Sequence, residues 1–450
     1  MTLKMQLGII FSCVLLAVTT ACSAGSSGDT ANKEKSKTKD GKAVVTLSLK
    51  MPDPFYEAAE KKFEAKYPDI DLQFQYFKQP GQEWAGFSDL ENYIKTTNTA
   101  MLSGKGADII ETSSLPEGKY INKKLLVDMS EWLDQDKTIN KDDLQMNILD
   151  ASKIDGGLYT MPSAFSLSAF IGDGEVLENT SVKVNDKNWS WVQFADITKQ
   201  LMSEEEEKGK DHRYALTNNP PELILQEMVM DSYNEFVDPI NQKANFESPL
   251  FENMLLHIKQ MYDDNVLSST PVENENPLFN SARMFSPADF IDGPYLLFSN
   301  PNLLQRPHGE GQSGEARIVT SSKLAIHANS SVKEEAWKFV AFLLSEEAQS
   351  LAEREGFSLL KALNEKKFDN IQAQIKSGTF KLANEEQAKV PDEDFEQFRV
   401  TINSANRYAN VDAKVVSIIY DEAIAFFSGQ KSVKDVAKLI QSRIIIYLNE

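Results

Sequence analysis

The chain has 450 residues, 47 basic against 67 acidic, a formal net charge of −20, and two cysteines. An acidic body repels nucleic acid and anionic lipid headgroups, which argues against a nucleic-acid partner and against electrostatic membrane attachment. Its length exceeds what one core organises, so two domains are expected.

The elements begin with an export signal over residues 1–21. Lys4 is a thin positive region, and Leu7 to Val18 is an apolar run of about 12 residues, too short to span a bilayer but suited to a signal core. Small residues lead into Cys22, in a pattern that resembles the bacterial lipobox, with Thr19 where an aliphatic residue is usual. Cys22 is therefore the expected lipidation (palmitate) site; the alternative is an ordinary secreted protein with a stray cysteine. Cys13 lies inside the signal, so the mature chain is expected to hold no disulfide. Residues 22–42 form the linker; from Ser23 to Gly41 it reads SAGSSGDTANKEKSKTKDG, a flexible tether of about 25 Å. No later segment is apolar for long enough to cross a membrane.

Val44 to Leu49 predicts a buried strand. Asp53 before Pro54 predicts an N-cap, and Phe55, Ala58, Ala59 and Phe63 follow at helical spacing up to Tyr67-Pro68. Ile70, Leu72, Phe74 and Tyr76 alternate with polar residues, a strand with one wet face. This βαβ-type opening points to the α/β class. A helix is expected over Asp89–Leu102 and a short strand over Ala107–Ile110. Trp189 to Tyr262 reads as mostly helical, and Ala413 to Leu448 as two helices broken at Ser428–Gln430.

Several motifs lead nowhere. GEGQSG (Gly309–Gly314) fits the dinucleotide pattern but lacks its strand–turn–helix setting and reads as a surface loop. Residues 134–145 lack the Gly and Glu of a calcium loop. His212, His257, His308 and His327 are scattered, so no metal is expected, and no cofactor either. The G-x-S-x-G elbow, H-E-x-x-H and the Walker loop are absent.

Seven stretches in order, including "KKFEAKYPDIDLQF", "MLSGKGADIIETSS", "IDGGLYTMPSAFSLSAFIGD", "FIDGPYLLFSN" and "FFSGQKSVKDVAKLIQSRI", resemble the family 1 extracellular solute-binding proteins of bacterial ABC importers, the group that includes maltose-binding protein. Ile171-Gly172 stands where Tyr-Asn is usual in that group. The resemblance implies a two-lobed, type II periplasmic-binding-protein-like α/β fold with crossing hinge strands. Lobe one would be 43–163 plus 325–357, and lobe two 165–322 plus 361–450. The chain would be a monomeric lipoprotein at the outer face of the bacterial cytoplasmic membrane, anchored through lipid only. It would capture a saccharide, an oligosaccharide by expectation, and pass it to ABC permease subunits without catalysis. A surface receptor feeding a sensor kinase, or a polysaccharide hydrolase, stays open as an alternative.

Ligand contacts in such a cleft come from loops after strand C-termini. That selects Met51, Asp53, Glu111, Thr112 and Ser113 in lobe one, and Asn218, Asn219 and Tyr295 in lobe two, with Tyr408, Arg407 and Asp412 beside them. Carboxylates, amides and aromatic faces suit a neutral polyol. Each residue also has a plainer role. Asp53 would serve as N-cap only, Glu111 as partner of a nearby Lys, and Tyr295 as core. Trp189 and Trp191 are expected to pack.

Overall fold

The computed structural model describes residues 37–272, 277–309, 312, 314–320, 322–408 and 410–449. The export signal, Cys22 and most of the linker lie outside the described residues.

Two mixed sheets organise the rest. The strands are β1 (Ala43–Leu49), β2 (Ile70–Tyr76), β3 (Ile109–Glu111), β4 (Met161–Pro162), β5 (Ser166–Asp173), β6 (Val237–Asp238), β7 (Lys243–Ala244), β8 (Phe279–Met284), β9 (Pro301–Leu304), β10 (Arg317–Val319), β11 (Lys323–Ile326) and β12 (Arg407–Tyr408). The first sheet runs β2-β1-β3-β11-β4, with β1, β2 and β3 parallel and β11 antiparallel to its neighbours. The second runs β12-β10-β5-β8, with β9 extending the β10 side of β5. β6 and β7 form a separate hairpin.

The opening βαβ unit forms as its pattern predicts. Asp53 caps the helix Pro54–Lys66 by accepting from the Phe55 and Tyr56 amides, and the helix buries Phe55, Tyr56, Ala59 and Phe63. Phe63 meets the edge of Phe339, 5.1 Å away, from the helix Lys333–Phe342. The next helix spans Phe87–Leu102, two residues longer at its start than expected. The middle of the chain holds the helices Trp191–Glu207, Pro221–Asp231 and Pro249–Asp263, interrupted by the β6–β7 hairpin that its pattern did not announce.

Alternation along β5 sends its two faces to different cores. Leu167, Ala169 and Ile171 join a cluster that reaches back through the crossings to Val45, Leu47 and Phe339. Phe170 joins Trp189, Phe194 and Phe279 in a second cluster closed by the C-terminal helices. Trp189 is only 2% exposed, which is the packing role expected of it.

Three segments pass between the sheets. The first joins β4 to β5 through Ser163–Phe165, and the second joins β10 to β11. They are tied by Ser163 N donating to Ser322 O at 3.1 Å. The third passes Phe357, whose amide donates to Phe165 O at 2.7 Å and whose carbonyl accepts from Phe165 N at 3.2 Å. Among the described residues no helix is long and apolar enough to cross a membrane.

Candidate functional site

On the first sheet the strands β1 and β3 end side by side, because Leu47 pairs with Ile109. Their C-terminal loops therefore converge. Lys50 Nζ donates to Ser114 Oγ at 3.0 Å and lies 3.7 Å from Glu111 Oε2. Glu111 accepts from the Ser113 amide at 3.0 Å. Asp53 stands behind them with its carboxyl raised from the usual range by burial, with Glu111 and Glu355 adding to the rise against the two capping amides. Met51, 41% exposed, joins Lys50, Trp84, Gly86, Leu90 and Ser114 around a pocket of about 360 Å³. Trp84 is the aromatic wall of that pocket. It is supported from behind by Phe77 (ring centroids 6.3 Å), which rests on Tyr93 at 5.6 Å. The Tyr93 hydroxyl donates to the carbonyl of Glu111 at 3.1 Å, so the platform is fixed to the end of β3.

The second wall is built on β5, β8, β10 and β12. Their register lines up Arg407, Arg317, Ser168 and Arg283 directly across four strands. Arg306 adds a fifth side chain, donating to Ser168 Oγ at 2.9 Å and Ser281 Oγ at 2.6 Å. The helix Pro221–Asp231 lays Glu227 and Asp231 over this row. Arg317 pairs with Glu227 at 2.7 Å and Asp231 at 2.9 Å, and Arg407 with Asp231 at 2.9 Å. Below them lies a pocket of about 310 Å³ bounded by Asp231, Asn234, Arg317, Arg407 and Tyr408.

Lys323, the first residue of β11, connects the walls. Its ammonium is 2.6 Å from Glu117 on the first-sheet side and donates to Tyr408 Oη at 2.9 Å and Asn410 Oδ1 at 3.2 Å on the other. Thr112 Oγ1 donates to the same Glu117 oxygen at 2.6 Å, and Ser113 Oγ accepts from the Lys323 amide at 3.1 Å. Burial opposes the charge of Lys323, but Glu117 and the Tyr408 hydroxyl outweigh it and hold the ammonium pKa above the ordinary lysine value.

Further out the walls touch. A Cβ on Gly118 would sit 2.5 Å from the Pro239 side chain, so only glycine allows this approach. Asn122 donates to the carbonyl of Ile240, and Glu91 pairs with Lys414. Leu115–Lys119, Tyr233 and Asn410–Asp412 enclose only about 20 Å³ there.

The structure thus brings together Met51, Asp53, Glu111, Thr112, Ser113 and, through Lys323, Tyr408. It places Asn218 and Asn219 at the start of the helix Pro221–Asp231, about 16 Å by helical rise from Asp231. Asn219 Nδ2 is spent on Thr217 O, and Asn218 stands at φ +56° with its amide on Thr270 O. Tyr295 gives its hydroxyl to Asp394, and its ring packs on the first core. Residue types alone passed over Lys50, Trp84, Lys323 and, apart from Arg407, the arginine row. The signal that was present is charge inside apolar strands: Arg283 in FNSARM, Arg317 in RIV and Lys323 in KLAI. Among the described residues no three His, Cys, Asp or Glu side chains are grouped for a metal.

This two-wall architecture has close parallels among solved structures. An extracellular solute-binding protein family 1 member from Alicyclobacillus acidocaldarius superposes with a TM-score of 0.55 at 17% identity, over 91% of this chain and 99% of its own. The sugar-binding protein MalE from Xanthomonas citri gives 0.56 at 16% identity, over 90% and 98%. A periplasmic oligogalacturonide-binding protein from Yersinia enterocolitica gives 0.56 at 15%, over 90% and 99%.

The fold is that of the two-lobed extracellular solute-binding proteins. Identities this low speak to the fold alone. No protein-family profile matches the chain. In the terms of that fold, the two sheets are the lobe cores and the three passing segments the hinge. Lys323 stands where the second hinge segment enters the first sheet.

Proposed function

We propose that this protein is an extracellular carbohydrate receptor of an ABC importer. It captures an oligosaccharide between its lobes and hands it to permease subunits without chemical change. The observation that carries this reading is the Trp84 platform, backed by Phe77 and set beside Lys50, Glu111 and Ser114 at the paired ends of β1 and β3. An aromatic face covers the apolar side of a sugar ring while charged and hydroxyl groups meet its rim. The sugar-binding proteins that share the fold support the same reading. In it, lobe one is 43–163 plus 325–357 and lobe two 165–322 plus 361–450. Acylated Cys22 and the tether up to residue 42 hold a monomer at the outer face of the bacterial cytoplasmic membrane.

The test is thermal-shift screening of the mature chain against neutral and acidic oligosaccharides, with peptides and polyamines as controls. A ligand at a hundred times its Kd adds about 2.7 kcal/mol and raises the melting temperature measurably. Trp84→Ala should remove most of that shift while leaving the ligand-free melting temperature within a few degrees. A shift from peptides or polyamines, with none from any saccharide, would overturn the reading.

A further inference from the structure

A second pocket lies at the opposite end of the first sheet from the cleft. It measures about 930 Å³, within the range of about 300–1,000 Å³ usual for small-molecule sites. The helix Pro54–Lys66 sets its distance from the cleft. Asp53 caps the cleft end, while Lys66 and Tyr67 at the other end line the pocket, about 20 Å away by helical rise. The remaining walls come from the helix Ser130–Gln135 and the loop after it, the helix Lys333–Phe342, and the first turn of the helix Lys361–Lys376. No residue that lines it borders the Trp84 pocket or bonds to Lys323.

Two of the chain's five tryptophans line this one pocket. Trp132 and Trp337 meet edge to face, 5.9 Å apart at 87°. Trp337 is held in place by its indole N–H, which donates to Asp136 Oδ2 at 2.9 Å; Asp136 in turn accepts from the amide and hydroxyl of Thr138. Trp132 is half-buried, and its N–H has no partner among the described residues. Tyr67 and Phe342 extend the aromatic wall, and the Tyr67 hydroxyl is also without a partner among the described residues. The ammoniums of Lys66 and Lys338 stand over the Tyr67 ring, 6.0 and 5.9 Å from its centroid. Glu334 and Glu346 share the rim. None of these four charges forms an ion pair among the described residues, although Glu334 and Lys338 are one turn apart on the same helix. Gln135 spends its amide N–H on Glu131 and keeps its carbonyl unspent.

We propose that this pocket is a second carbohydrate site, which holds a segment of a polysaccharide chain while the cleft stays free for its own ligand. Indole and phenol faces cover the C–H side of a sugar ring. Each sugar hydroxyl both donates and accepts, so it uses a rim that offers unpaired donors and acceptors of both signs. A pocket shaped for an acyl chain would be apolar up to its mouth, and here the mouth is polar. The rim residues Lys66, Gln135, Glu334, Lys338 and Glu346 are exposed, so a chain longer than the pocket can run on beyond it. The proposal is independent of the reading of the cleft, and either can fail alone.

Affinity electrophoresis of the mature chain tests it, in native gels cast with soluble starch, dextran, galactan, mannan or pectin. The expected result is that at least one polymer retards the chain. Trp84→Ala, at the cleft, should leave that retardation in place. Trp132→Ala should weaken it at least about fivefold in apparent Kd, the scale of one aromatic contact. Because Trp132 also packs on Trp337, a second variant guards against misfolding. Ala362→Arg fills the pocket from an exposed helix position and should abolish retardation with the melting temperature kept. No retardation by any of the five polymers, or retardation lost in Trp84→Ala and kept in Trp132→Ala and Ala362→Arg, would overturn the second site. The cleft reading would still stand on its own thermal-shift test with short oligosaccharides. Tryptophan quenching by laurate that Ala362→Arg removes, with no polymer retarded, would make this an acyl-chain pocket and overturn the proposal. A dimer in light scattering that Ala362→Arg dissolves would seat a second copy there and overturn it as well.

Discussion

Lys323→Met tests whether the bridge between the lobes is an energetic feature of the hinge. The ammonium and Glu117 are 2.6 Å apart, with side chains 6% and 3% exposed. With an effective dielectric of about 20, Coulomb's law gives about 6 kcal/mol of attraction at that distance. Desolvating the two ions offsets much of this, so the intact pair contributes little net. Removing one partner is different. Methionine fills the same volume but leaves the Glu117 carboxylate buried with Thr112 as its remaining donor. It also strips Tyr408 and Asn410 of a donor. The expected loss is about 3–5 kcal/mol, the range for an uncompensated buried charge.

The assay is urea unfolding followed by far-UV circular dichroism, with Lys323→Met, Glu117→Gln and the double variant. Glutamine keeps an oxygen for Thr112 and removes the charge. The double variant should recover most of the loss, giving a coupling of about 2 kcal/mol or more in the cycle. The pH dependence has a definite sign. Because the folded ammonium pKa is raised, its stabilisation is fully present below the unfolded value of about 10.4 and is lost as pH rises beyond it. A loss under about 1 kcal/mol for Lys323→Met, or single losses that simply add in the double variant, would refute the reasoning.

Two further outcomes follow from the structure. Gly356 stands at φ +94°, and a Cβ there would lie 2.7 Å from the Phe165 carbonyl oxygen; Gly356→Ala should cost about 2–3 kcal/mol in thermal unfolding, and an unchanged melting temperature would refute the tight crossing. Glu205 is buried against Lys210 at 2.6 Å and Lys208 at 3.0 Å. Burial alone would raise its carboxyl, but the two lysines prevail and lower it. Its stabilisation is therefore present above the unfolded value of about 4.3 and lost as pH falls through the folded one, so Glu205→Gln should flatten the acid limb of the stability profile.

The fold was legible because its signals are local. Asp53-Pro54, the Phe55–Phe63 stripe and the alternation of Ile70–Tyr76 each act within one element, and all three appear as read. The β6–β7 hairpin was not legible: its strands are two residues each, held mainly by the helices around them. The site was half legible for a related reason. Loop position after a strand end selected Met51, Asp53 and Glu111–Ser113, which the structure places together at the ends of β1 and β3, since strand direction follows from the βαβ pattern. The same rule selected Asn218 and Asn219, which also follow an extended stretch. The helix Pro221–Asp231, however, presents its C-terminal end, not its N-terminal end, to the arginine row. Strand register across chain-distant segments decides this, and no single segment encodes it. Arg283 and Arg407 are 124 positions apart yet stand in one row.

The three crossings are held by different forces, which has a consequence for closure. The first and third are bound to each other twice over. Phe165 and Phe357 exchange both backbone hydrogen bonds. Gln349, 1% exposed, uses its whole amide between them, donating to Ser163 O and Leu343 O and accepting from Ser358 Oγ and the Leu359 amide. A side chain with every donor and acceptor used has no alternative partner to move to. Among the described residues the second crossing has one backbone bond to the first, the Tyr56–Ser322 hydroxyl contact at 2.5 Å, and the Lys323 fan. The second crossing thus has fewer backbone ties to the first than the third has, and its strongest contact is the buried Lys323–Glu117 pair. A lobe rotation would then pivot on the paired Phe165–Phe357 strands.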